Sequence, residues 1–146
     1  MNFQLNINGF KKVEESTSVD SSCTLLLKRQ NLNLNRAIAV FELDVIPESL
    51  EGFILKMRTQ VAKKVKFVPF FWGVGIQIII VCPNIVSEDI DPNKFVSRVD
   101  NQWAIVQSVF LVDRTSKKLK EGRTWGQVIS KKFQDEISVQ LKAVLK

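Results

Sequence analysis

Histidine and tyrosine are both missing from the 146 residues. Without histidine there is no imidazole to act as general base near neutral pH, to complete a serine or cysteine triad, or to serve as the commonest metal ligand. A zinc site would have to be built from two cysteines and carboxylates, an improbable set, and no metal is expected. Cysteine is scarce: Cys23 and Cys82 stand far apart in apolar contexts and read as buried free thiols of a reducing compartment. Glycine is also sparse. The Gly73-Val74-Gly75 stretch lacks the third glycine and the following helix of a dinucleotide fingerprint, so no phosphate-cradling loop is expected. The N-terminal stretch lacks the charged, apolar and small-residue layout of a signal peptide, which leads us to expect a cytoplasmic protein. These absences turn the expectation away from an enzyme, and no cofactor is expected.

One long stretch lacks charge altogether. Residues 67–87, FVPFFWGVGIQIIIVCPNIVS, are flanked by Lys63, Lys64 and Lys66 on one side and by Glu88 and Asp89 on the other. The length would just span a bilayer. Pro69, Gly73, Gly75, Gln77, Pro83 and Asn84 suit a lone membrane helix poorly. The β-branched run from Val74 to Cys82 instead reads as a strand buried on both faces and ended by Pro83. No membrane association is expected. Such a strand needs a neighbour on each edge and cover on each face.

Around it the chain alternates between strand and helix patterns. Phe3, Leu5 and Ile7 alternate with polar residues, as in a half-buried strand. Cys23–Gln30 and the run from Arg36 to Asp44 read as two further strands, with asparagine-rich 31–35 as the turn between them. Pro47 opens a helix in which Leu50, Ile54, Met57 and Val61 recur at helical spacing, with Lys56, Lys63 and Lys66 on the opposite side. Asp91 and Pro92 begin a short helix. The carboxylates Glu88, Asp89 and Asp91 beside it lack the spacing of a calcium loop. Residues 101–113 form another strand, and 114–121 a hairpin turn with a short return strand. Thr124 and Gln127 make a capping box for a final helix striped by Trp125, Ile129, Phe133, Ile137 and Leu141.

The expected architecture is a single α+β domain spanning 1–146. It has a mostly antiparallel sheet of five to six strands, with two long amphipathic helices, about 47–66 and 125–145, packed on one face.

Net charge is +6 and unevenly placed. Residues 52–66 carry five basic groups and no acidic one, and residues 114–146 carry nine against three. Lys56, Lys63, Lys66, Lys117 and Lys118 are the candidate contacts for an anion or an acidic partner, and merge into one patch if both helices share a face. Nucleic acid is weakly supported, since no RNP, KH or helix-turn-helix pattern is present. Carboxylates near strand ends, Glu42, Asp44, Glu48 and Asp113, match no catalytic spacing and read as turn or capping residues. Two functional expectations follow. The first is a non-catalytic binding or protein-interaction module, binding a protein partner or self-associating through its sheet face. The second is a carrier of a small apolar ligand or cofactor, with a pocket between sheet and helices lined by Phe70, Phe71, Trp72, Trp103 and Trp125.

Overall fold

A computed structural model of the chain describes residues 3–30, 34–65, 73–96, 104–123 and 127–146. Six strands form one mixed sheet in sequential order: β1 (Lys11–Lys12), β2 (Cys23–Gln30), β3 (Leu34–Glu42), β4 (Gly73–Cys82), β5 (Ala104–Asp113) and β6 (Lys118–Arg123). Two long helices complete the α+β fold, α1 (Leu50–Lys64) and α2 (Gln127–Val144). Three of the five strand pairings are antiparallel, as expected for most of the sheet. The two central ones, β3 with β4 and β4 with β5, are parallel. Parallel pairing follows from the connections. Each of these strand pairs is joined by a long crossover, and a crossover returns the chain in the direction it started.

The charge-free run takes the place its composition demands. β4 is the central strand, and every side chain from Val74 to Cys82 is buried. Its residues alternate between two separate cores. Val74, Ile76, Ile78, Ile80 and Cys82 pack with Leu50, Ile54, Met57 and Val61 of α1. Ile79 and Val81 pack with Phe133, Ile137 and Leu141 of α2. No helix among the described residues is long and apolar enough to cross a membrane.

The helices therefore cover opposite faces, not one face as the sequence led us to expect. α1 shares its face with the connection between β4 and β5, whose Ile85, Ile90, Phe95 and Val96 join the same core. With that face filled, α2 covers the other, where Leu27, Ile38, Val40, Phe110 and Val112 would otherwise meet water. The N-terminal segment helps it. Phe3, Leu5 and Ile7 alternate inward as expected, but they lie along α2 and not in the sheet. Asn6 exchanges hydrogen bonds with the Gln140 side chain, its N–H donating at 2.9 Å and its carbonyl accepting at 2.8 Å.

Local starts and stops have visible causes. α1 starts at Leu50 and not at Pro47, because Ser49 caps it, its hydroxyl accepting from the Gly52 N–H at 3.0 Å. The expected short helix is a 3-10 turn over Pro92–Phe95, capped by Asp91. Gly122 of β6 lies where a Cβ would come 2.5 Å from the Pro92 carbonyl carbon, so only glycine admits this close approach. The Thr124–Gln127 capping box lies outside the described residues.

Candidate functional site

β3, β4 and β5 run parallel, so their C-terminal ends, near Glu42, Cys82 and Asp113, share one end of the sheet. That end is where open sheets with crossover connections most often hold ligands. Three loops leave it, and two of them, one after β4 and one turning from β5 into β6, meet at a single side chain. That side chain is Asp113. It is fully buried, and its carboxylate accepts four backbone N–H groups. Oδ1 takes those of Asn84, Thr115 and Ser116 at 3.0, 2.8 and 3.0 Å, and Oδ2 that of Val86 at 3.1 Å. Burial pushes the Asp113 pKa up, but the four N–H donors outweigh it and hold the group below the usual carboxylate range. The loops it anchors contain two non-glycine residues with left-handed backbone, Asn84 at φ 63° and Lys117 at φ 55°. Such a conformation costs a lysine roughly 1 kcal/mol.

Beside this anchor, at the C-terminal end of α2, lies an open cleft of about 350 Å³. Its apolar floor is Val86, Leu119 and Leu145, and its rim is four lysines: Lys117, Lys118, Lys142 and Lys146. No aspartate or glutamate side chain lines it among the described residues. All four lysines are exposed, and none forms an ion pair within 4.0 Å among the described residues. The C-terminal end of α2 contributes a partial negative charge of about half a unit, which Lys142 and Lys146 exceed. Four positive charges so placed raise the local concentration of anions, and the effect weakens as salt screens it.

The sequence-derived residues divide accordingly. Lys117 and Lys118 line the cleft. Lys56 and Lys63 are exposed on α1, on the other face of the sheet, and line no part of it. The single merged basic patch does not form, because the helices do not share a face. Lys66 lies outside the described residues, as do Phe70, Phe71, Trp72, Trp103 and Trp125. Lys142 and Lys146 went unrecognised because nothing local links the end of α2 to the β5–β6 turn. The anchor was half visible, since an aspartate followed by Thr115 and Ser116 is a common turn signal. Its bonds to Asn84 and Val86 exist only through space.

Other chemistry-bearing groups are committed elsewhere. Asp44 lies 3.7 Å from Arg114, whose Nη2 also donates to the Leu43 carbonyl at 2.7 Å. Asp91 is a cap. Cys23 and Cys82 are buried free thiols, and burial pushes Cys23 up to about 11 and Cys82 upward. A thiol so shifted is a poor nucleophile at neutral pH. No cluster of three or more metal-ligating side chains occurs among the described residues.

Comparison with protein-family models, with curated proteins and with solved structures finds no match for this chain. The functional reading rests on the cleft.

Proposed function

We propose that the protein is a non-catalytic interaction module that takes an acidic polypeptide segment in the four-lysine cleft. The observation that carries this reading is the pairing of Lys117, Lys118, Lys142 and Lys146 with the apolar floor of Val86, Leu119 and Leu145. Carboxylates of a partner meet the lysines, and one apolar side chain among them fills the floor. An aliphatic floor favours a peptide over a nucleic acid, because no aromatic ring among the described residues lines the cleft to stack a base. The anchoring of both loops by Asp113 fixes the backbone that carries Val86 and Lys117 before binding, which lowers the ordering cost of association.

Fluorescence anisotropy tests the reading with a labelled peptide of aspartate and glutamate around one leucine. Binding is expected at low salt, to weaken as salt rises, and to fall roughly tenfold or more in Lys117→Glu/Lys142→Glu. A control, Lys56→Glu/Lys63→Glu, changes charge equally on α1 and is expected to bind nearly as well as wild type. Equal loss in both variants would show a response to net charge and not to the cleft, and the proposal would fall.

A further inference from the structure

A second feature shares the cleft's end of the sheet. Residues 42–51 run from the end of β3 into α1 and contain Glu42, Asp44, Glu48 and Glu51 with no basic residue. Asp44, Glu48 and Glu51 are exposed. Between them Val45 is 78 % exposed, more than the other large hydrophobic side chains found exposed, Leu55 and Val139. Its neighbours Leu43 and Ile46 pack on the α1-side core, so the loop is fixed while Val45 faces water. The Leu43 N–H donates to the Val81 carbonyl at 2.8 Å, and Arg114 holds the loop through the Leu43 carbonyl and Asp44.

We propose that the cleft receives the 42–51 loop of a second copy of this chain, and that two copies dock reciprocally. This rests on the reading of the cleft as a site for an acidic segment. The complementarity is in kind: three exposed carboxylates, Asp44, Glu48 and Glu51, flank an exposed valine on the loop, and four lysines surround an apolar floor in the cleft. Val45 does not line the cleft of its own chain. Parallel β3 and β5, with only β4 between them, bring loop and cleft side by side at one end of the sheet. Two molecules meeting end to end about a two-fold axis can each insert a loop into the other's cleft. Such an isologous contact closes on itself and does not grow into a filament. The loop is already held in place, so little conformational freedom is lost on docking.

Sedimentation velocity of the full chain over a range of concentration and salt tests this. The expected result is a monomer–dimer equilibrium that shifts to monomer as salt rises. Lys117→Glu/Lys142→Glu and Glu48→Lys/Glu51→Lys are each expected to be monomeric, with folding checked by circular dichroism. Mixed, they restore the dimer, because each reversed cleft then faces a reversed loop. Val45→Asp, at an exposed side chain, is expected to weaken the dimer without affecting the fold. A wild-type monomer under all conditions, or a dimer that survives both charge reversals, would overturn self-docking. A monomer that still binds the acidic peptide leaves the cleft's proposed function standing; one that does not removes both.

Discussion

Asp113 ties residues far apart in the chain to one buried carboxylate, and that gives a sharp expectation at the residue scale. In Asp113→Asn one oxygen becomes an NH₂ group, and a donor then faces a backbone donor. Destabilisation of about 1–3 kcal/mol is expected from urea unfolding, with faster amide exchange at Asn84 and Val86. An unchanged urea midpoint would remove Asp113 as the anchor. The pH dependence has a definite sign. The folded pKa lies below the ordinary 3.8, so the unfolded chain takes up the proton first. The stability from this group is fully present above 3.8, declines as pH falls from there, and is gone below the folded value. Sequence alone reads Asp113, like Glu42, Asp44 and Glu48, as a turn or capping residue, and for its bonds to Thr115 and Ser116 that reading holds. Its bonds to Asn84 and Val86 were not legible, because those donors come from a different loop.

Among the elements, β4 and α2 are joined by a buried polar contact in an apolar setting. Gln77 Oε1 accepts from the Ser108 hydroxyl and, at 3.0 Å, from Gln134 Nε2, while Gln77 Nε2 donates to Gln107 Oε1 at 2.7 Å. The register between β4 and β5 shifts at Gln107, from Ile76 opposite Val106 to Gln77 opposite Ser108, and Gly75 leaves space for the Gln107 side chain. Gln77→Leu removes the acceptor of two buried donors and is expected to destabilise by roughly 3 kcal/mol. Gln134→Leu is expected to be milder, since Gln134 Oε1 is buried without a partner among the described residues. Chemical unfolding of the two single variants and the double variant checks this, and the double loss should be less than the sum. Strictly additive effects would mean the two glutamines are uncoupled. The sequence showed where most of these elements lie, because strand and helix periods are local. It showed Gln77 only as an oddity within an apolar run.

At the scale of the whole molecule, both thiols sit on the α1 side of the sheet in β2 and β4, with β3 between them. Two strand spacings separate them by roughly 10 Å, beyond the ~7 Å within which two cysteine Cα atoms can be bridged. Burial and raised pKa values add to this. Thiol reagents at neutral pH are expected to label neither cysteine in the folded protein and both in denaturant, and oxidation is expected to form no internal disulfide. Rapid labelling of the native protein would contradict this. What the sequence by itself determined was the α+β class, the burial of Val74–Cys82, the two amphipathic helices and the concentration of positive charge in two segments. Each of these follows from a pattern within a few turns or strands of one stretch. Only the tertiary structure decided which face each helix covers, which lysines meet, and that an acidic loop lies beside them. An amphipathic stripe says that a face must be buried without saying against what. Here the first crossover helix and the β4–β5 connection filled one face, and α2 brought Lys142 and Lys146 to Lys117 and Lys118 across the other.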